Sequence, residues 1–237
     1  MTTTLHPALR NVAAVIFDVG GTLVHPDWRR LGEIVTAETE RRFTPVQMYE
    51  AFYAMLQAAD ADLIAGTRSA DRSGAHWTFL NTFRSLGVDD SASARIRERL
   101  SVTHEERHLW CEADPDAGRV LLLLQEAGLR IAAISNTEDG RVKESLALAE
   151  LGSYFEFLID SHLVGCSKPD KAIFQLAVDQ LGLAPGDAAY VGDSYGYDVI
   201  GAQRAGLIPI LLDRLGAYKE VDVTRIRSLA ELVFFEG

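Results

Sequence analysis

The sequence predicts an α/β protein built on a doubly wound parallel sheet, and three observations predict it. An apolar, β-branched run from Val12 to Phe17 stops at a carboxylate, Asp18; such a continuous run reads as a strand buried on both faces. From Asp114 onward, helical and extended patterns alternate, as strands and crossover helices of one parallel sheet require. Between these parts lies a long stretch, His25 to His108, that shows helical patterns only.

The first strand leads into the turn Asp18-Val19-Gly20-Gly21-Thr22-Leu23. In open parallel sheets ligands bind beyond the carboxyl ends of strands, so Asp18 emerges where chemistry is expected. Helices are then predicted over Trp28 to Phe43, Pro45 to Ala61, His76 to Leu86 and Ala92 to His108. Thr44-Pro45 and Asp89-Asp90-Ser91 supply start signals, and Gly66 and Gly87 fall between helices. Asp114-Pro115 caps a helix that runs to Ala127 and stops at Gly128; the strand Ile131 to Thr137 follows. Next come a helix over Asp139 to Leu148, a strand over Phe157 to Asp160, and a helix over Lys171 to Leu181. In the last of these, Ile173, Phe174, Leu176 and Ala177 recur at helical spacing, as a core-facing stripe does. Ala188 to Val191, Gly196 to Ala205 and Leu207 to Leu212 complete a strand, helix, strand sequence. The tail from Ser228 to Phe235 carries Leu229, Leu232, Val233, Phe234 and Phe235. It is expected to pack on the core or to form an interface, which leaves oligomeric state open.

Composition narrows the function classes. A chain of 237 residues can build a sizeable core, and its hydrophobic and charged fractions are ordinary. No apolar stretch approaches membrane-spanning length and the N-terminus does not resemble a secretory signal, so a cytoplasmic protein without a membrane partner is expected. The net charge of −11 disfavours nucleic acid, whose binding depends on cationic surface. Cys111 and Cys166 make neither a disulfide framework nor a zinc pattern; Cys166, near Lys168, is the one to check for reactivity.

Four stretches carry the chemistry, in order: Asp18 to Leu23; Ile131 to Thr137, ending in Ser135 and Asn136; Cys166-Ser167-Lys168-Pro169-Asp170; and Ala189 to Ala202, with Asp193, Ser194 and Asp198. Together they resemble motifs I to IV of the haloacid dehalogenase superfamily, subfamily I with a helical C1 cap, over about Val12 to Leu212. The resemblance implies a Rossmann-like core domain of residues 1–24 and 109–237 and an all-helical cap domain of residues 25–108. It also implies that Asp18 attacks phosphorus in line, giving an aspartyl-phosphate that water hydrolyses. Asp18, Asp193 and the main-chain carbonyl of Gly20 would hold Mg²⁺, with Asp198 as ligand or supporting partner. A carboxylate approaches a phosphate dianion only when charge is neutralised, and a hard oxygen site for Mg²⁺ does this. Ser135 and Lys168 would hold nucleophile and phosphate, with Gly21, Thr22, Asn136 and Ser194 around a small phosphorylated substrate.

One position departs from the pattern. Where the phosphatases of this family carry a second Asp, this chain has Gly20, and the lost side chain is the one that protonates the leaving oxygen and then activates water. A positioned acid or base contributes about 10² to 10⁴ in rate, roughly 3 to 5 kcal/mol. His25, Asp27, His76, His104 and His108 are the candidate replacements, His25 being closest to the motif. Within the family, a phosphonoacetaldehyde hydrolase also has a small residue here but needs a cap lysine, and lysine occurs only at positions 143, 168, 171 and 219. A 2-haloacid dehalogenase needs no acid because halide leaves without a proton, and Arg29 and Arg30 could then cradle the halide. Intact Asp193 and Asp198 argue against it, since they would repel a carboxylate substrate without an ion between them. The expectation is a Mg²⁺-dependent phosphatase-like hydrolase, slowed by Gly20. A 2-haloacid dehalogenase and a catalytically weak phospho-ligand or partner-binding regulator are the alternatives.

Overall fold

A computed structural model describes residues 2–65 and 76–236. The chain divides into two compact units, Met1–His25 with Glu112–Gly237, and Pro26–Cys111. His25 therefore falls with the sheet rather than with the helices.

In the first unit, β2 (Ala14–Phe17) lies at the centre of six parallel strands in the order β6-β5-β2-β7-β8-β9. The others are β5 (Arg130–Ser135), β6 (Phe157–Asp160), β7 (Ala188–Gly192), β8 (Ile208–Leu212) and β9 (Thr224–Ile226). Helices α5 (Ala117–Glu126), α6 (Val142–Leu148), the single turn α7 (Ser161–Val164), α8 (Lys171–Leu181) and α9 (Ile200–Ala205) connect them. The chain leaves β2 for β5 and β6 on one side, then returns to β7 and β8 on the other. The order reverses at β2, and such a reversal opens a crevice at the carboxyl ends of the strands. Every residue of β2 and β7 is buried, which accounts for their unbroken apolar runs. Ile16, Ile134, Ile173, Phe174 and Tyr190 form part of one core on one face of the sheet.

Several boundaries move for local reasons. Asp114 does not cap α5 directly: its carboxylate accepts from the Asp116 amide at 3.0 Å, and the helix begins at Ala117. The helix expected from Asp139 begins at Val142, because Gly140 sits at φ 76° and the Asp139 side chain accepts from the Arg141 amide at 3.1 Å. Asp198 does not open a regular helix: it lies in a π-type turn, Tyr195–Val199, that leads into α9. The tail forms a 3₁₀ turn, Leu229–Leu232, then β10 (Val233–Glu236), which pairs antiparallel with β1 (Thr2–Leu5). Strands β1, β9 and β10 were not expected.

The second unit holds α1 (Trp28–Thr39), α2 (Pro45–Ile64), α3 (Trp77–Ser85) and α4 (Asp90–Glu106). The short strands β3 (Val24–Pro26) and β4 (Trp110–Ala113) lie where the chain passes between units. Helix α1 stops at Thr39 because Glu40 takes the left-handed conformation, φ 58°. The Asp89 carboxylate caps α4 by accepting from the Ala92 amide at 2.8 Å, starting that helix two residues before Ala92. Leu31, Met48, Phe79, Phe83, Ile96 and Leu100 belong to one core. Trp28, Tyr49 and Trp77 pack on a second cluster around Phe52 and Leu56. Gly66 lies outside the described residues. No helix among those described is long and apolar enough to cross a membrane.

Candidate active site

Three carboxylates meet at the reversal of strand order. Asp18 follows β2, Asp193 follows β7, and Asp198 comes from the π-type turn; all are buried, and their oxygens lie within 4.8 Å of one another. Parallel register places two of them side by side, since Phe17 pairs with Val191 and the Asp18 amide donates to the Val191 carbonyl at 2.8 Å. The π-type turn fixes the third: Asp198 Oδ2 accepts from the Ser194 amide at 3.0 Å, and Ser194 Oγ accepts from the Tyr197 amide at 3.0 Å.

Lys168 brings a cation into this cluster. Its Nζ donates to Asp18, to Asp198 Oδ1 at 2.7 Å and to the Tyr190 hydroxyl at 3.1 Å. Asn136, at the end of β5, fixes the lysine backbone from both sides: Nδ2 donates to the Lys168 carbonyl at 3.0 Å and Oδ1 accepts from the Lys168 amide at 2.9 Å. Ser135 ends the same strand and is buried.

The electrostatics follow from three acids sharing one ammonium. Burial pushes the Asp18 carboxyl up to about 6, Lys168 opposing and Asp198 reinforcing. Burial, with Asp18 and Asp198 beside it, raises Asp193 well above the ordinary carboxylate range. Burial also works against the Lys168 charge, but Asp18 and Asp198 outweigh it and hold that ammonium above its usual value. Asp193 Oδ2 and Thr22 Oγ1 are buried with no hydrogen-bond partner among the described residues. Buried polar atoms are nearly always paired, so an orphan oxygen in an acidic cluster suits a site for a cation.

The glycines around this cluster are sterically required. A Cβ on Gly21, at φ +90°, would lie 2.1 Å from Asp193 Oδ2, and one on Gly192 would lie 2.4 Å from Asp198 Cγ. Gly20 bridges to Val24, closing the turn after Asp18.

The other candidates have different surroundings. His25 turns Nε2 to Asp114 Oδ2 at 3.4 Å, and burial lowers its pKa. Asp27 caps α1, accepting from the Arg30 amide at 2.9 Å. In the helical unit, His76 bonds to Ser101 at 3.1 Å, His104 accepts from the Leu109 amide at 3.2 Å, and His108 lies 3.0 Å from the Trp110 carbonyl. Arg30 donates to the Thr103 carbonyl at 2.8 Å, and Arg29 pairs with Glu33 at 2.7 Å on an exposed face. Burial raises the Cys166 pKa, which disfavours the reactive thiolate. Sequence reasoning missed Tyr190, Arg214 and Asp114. The signal for Tyr190 was a hydroxyl inside an otherwise apolar strand; Arg214 and Asp114 gave none.

The family model for haloacid dehalogenase-like hydrolases matches residues 12–206. The chain belongs to that family. Haloacid dehalogenase-like hydrolase domain-containing protein 3 of Mus musculus is 34% identical over 134 residues, 56% of this chain and 53% of that protein. Phosphoserine phosphatase of Thermus thermophilus is 34% identical over 123 residues, covering 52% and 49%. (S)-2-haloacid dehalogenase 4A of Burkholderia cepacia is 28% identical over 141 residues, covering 58% and 59%. The chain thus spans about half the length of these curated relatives. A magnesium-bound HAD-hydrolase from Bacillus subtilis superposes with a TM-score of 0.67 at 17% identity, covering 94% of this chain and 97% of that one. At that identity the likeness shows the fold alone.

Proposed function

We propose that this haloacid dehalogenase-like hydrolase is a Mg²⁺-dependent phosphatase that uses Asp18 as its nucleophile on a small phosphorylated substrate. One observation carries the reading: three buried carboxylates converge, only two of them, Asp18 and Asp198, bond to the Lys168 ammonium, and an oxygen of the third, Asp193 Oδ2, has no hydrogen-bond partner among the described residues. An all-oxygen donor set of this charge suits a hard divalent cation. Asp18, Asp193 and the Gly20 carbonyl would hold Mg²⁺, with Asp198 beside them. Bound there, the ion would neutralise the acids and the phosphoryl charge.

The residues of the chain then divide the work. The Asp18 carboxylate attacks phosphorus and forms the acyl–phosphate bond, while the bond to the leaving oxygen breaks and that oxygen takes the electron pair. Water then attacks phosphorus, the bond from phosphorus to the Asp18 oxygen breaks, and inorganic phosphate leaves with the water oxygen and takes up its proton balance from solvent, which frees the Asp18 carboxylate. Lys168, held by Asn136 and Tyr190, keeps Asp18 ionised and oriented. Gly20 offers no proton to the leaving oxygen. His25 is a poor substitute, since its Nε2 faces Asp114 and its pKa is lowered. We therefore expect good leaving groups, aryl or acyl phosphates, to be turned over faster than alkyl phosphates.

Gly20 and the Burkholderia relative favour a second reading, a 2-haloacid dehalogenase in which Asp18 attacks carbon. The paired carboxylates Asp193 and Asp198 weigh against it, as does the placement of Arg29 and Arg30 in helix contacts. The deciding measurement is p-nitrophenyl phosphate hydrolysis with and without Mg²⁺, for wild type, Asp18→Asn and Gly20→Asp. Turnover that requires Mg²⁺ and Asp18 supports the phosphatase, and a steep dependence on leaving-group pKa supports the missing acid. No Mg²⁺-dependent turnover in wild type or Gly20→Asp overturns it. Chloride release from a 2-chloro acid then separates a dehalogenase from a non-catalytic phospho-ligand binder.

A further inference from the structure

We infer that Arg214, Asp114 and His25 form a positioning clasp that holds the Gly21–Thr22 backbone in place beside Asp193. Arg214 follows β8, on a loop that Asp213 braces: its carboxylate accepts from the Ala217 amide at 2.8 Å and the Tyr218 amide at 3.3 Å. From there the guanidinium reaches the turn after Asp18. Nη2 donates to the Thr22 carbonyl at 3.0 Å and Nε to the Gly21 carbonyl at 3.4 Å. The same Nη2 lies 2.8 Å from Asp114 Oδ2, and both side chains are largely buried. A buried guanidinium needs a counter-ion, and its planar fork spreads donors over separate nitrogens, Nε toward Gly21 and Nη2 toward Thr22 and Asp114, a span that the single nitrogen of an ammonium does not cover.

Asp114 is itself fixed. Its amide donates to the Leu23 carbonyl at 2.9 Å, its Oδ1 accepts from the Asp116 amide at 3.0 Å, and His25 Nε2 lies 3.4 Å from Oδ2. The clasp therefore ties the segment leaving the nucleophile to the segment where the chain re-enters the sheet unit. On its other side the Gly21 backbone lies close against Asp193: a Cβ built there would stand 2.1 Å from Asp193 Oδ2. A backbone shift at Gly21 thus alters the space around the unpartnered oxygen and the place of the Gly20 carbonyl. Arg214 bonds to the loop and to Asp114, not to Asp18; it is a positioning residue, acting through the loop.

The inference rests on the Mg²⁺ reading for its effect on the ion, and on the loop alone for its effect on backbone order. Calorimetric titration of the full chain with Mg²⁺, beside hydrogen exchange over residues 18–24, separates the two for wild type, Arg214→Gln, Arg214→Lys and Asp114→Asn. Supporting contacts of this kind alter metal affinity by about 10-fold to 100-fold, and we expect Arg214→Gln to weaken Mg²⁺ binding by that much. Loss of one charge-assisted hydrogen bond predicts exchange over residues 18–24 about 10-fold to 100-fold faster, with β8 and β9 unchanged as the folding control. Arg214→Lys keeps the charge without the fork and should behave like the Gln variant; Asp114→Asn keeps Arg214 and should shift both readouts the same way. A group acting only as a positive charge would repel the ion, so tighter Mg²⁺ binding in Arg214→Gln overturns the clasp. Full rescue by Arg214→Lys, or unchanged exchange over residues 18–24, overturns it too. Absence of Mg²⁺ binding in wild type would remove the metal reading, while the exchange comparison would still decide the clasp.

Discussion

Where β2 and β7 end, three carboxylates meet, two of them on the Lys168 ammonium, and Asp193 Oδ2 has no hydrogen-bond partner among the described residues. At Asp114, in the same unit, one carboxylate meets a guanidinium, a ring nitrogen and a backbone amide. Both clusters are buried, yet their proton affinities move in opposite directions. Burial drives Asp18 and Asp193 up; at Asp114 burial pushes the same way, but the His25 hydrogen bond and the Arg214 charge hold the carboxyl below its ordinary value. A buried acid left short of partners retains affinity for a ligand, whereas one whose partners are complete stabilises the fold. This contrast separates candidate chemistry from scaffold without reference to any relative.

Removing Asp18, the proposed nucleophile, should disturb the first cluster most severely. Asp18→Asn leaves the shape nearly intact and removes the attacking oxygen, so turnover of p-nitrophenyl phosphate should fall by about 10⁴ or more. Retention of a tenth of the wild-type rate would mean that another group attacks phosphorus.

The second largest effect is a reversal of sign between function and stability. Asp193→Asn should abolish the proposed Mg²⁺ binding, yet it replaces a carboxyl whose ionisation is opposed by burial and by Asp18 and Asp198 with an amide that carries no charge at any pH. The amide removes the charge that burial and the two neighbouring acids oppose, worth about 1 to 3 kcal/mol, so the metal-free variant should be more stable than metal-free wild type at pH 7.5. Asp114→Asn should do the opposite, because it leaves Arg214 without its counter-ion. Denaturant unfolding in EDTA compares them directly; loss of stability in both variants would mean that the two clusters are alike.

What could be read from the chain follows the same division. Asp18 and Asp193 each follow an apolar run, and Lys168 and Asp198 lie within short local patterns, so sequence order alone marked them. Asp114 looked like a helix cap, and Arg214 like any residue after a strand. Their meaning depends on contacts across 89 residues to His25 and 192 to Thr22, which no local pattern reports. The sheet was legible because burial on both faces writes unbroken apolar runs. Strands β1 and β10 were not, because Thr2 to Leu5 and Val233 to Glu236 become strands only by pairing with each other.

Acidity provides a smaller but sharper test. An acid whose folded pKa is raised binds a proton in the native state that the unfolded chain releases, so it lowers stability as pH rises through that interval. For Asp18 the interval runs from its ordinary value near 4 to about 6. Asp193 acts in the same direction, starting from the same end. Asp114 and His25 oppose them: a depressed carboxyl loses its contribution as pH falls through its folded value, and a neutral buried histidine disfavours the fold as pH falls below its unfolded value, about 6.5. The melting-temperature advantage of Asp193→Asn over wild type in EDTA should therefore grow between pH 5 and pH 7.5 and shrink when Mg²⁺ is added. An advantage independent of pH would sever the raised carboxyl pKa from the proposed cation site.

The smallest effect concerns a third kind of pair. Arg29 and Glu33 meet at 2.7 Å, but their side chains are 71% and 64% exposed, so solvent screens them. Exposed pairs one helical turn apart contribute about 0.3 to 0.5 kcal/mol. Arg29→Ala should change stability by no more than that and leave phosphatase turnover unaltered. The dehalogenase reading gives Arg29 a different task, holding a departing halide, and then the same substitution would cut chloride release sharply while sparing the fold. If Arg29 matters for turnover, partner satisfaction is the wrong guide to where this protein does its chemistry.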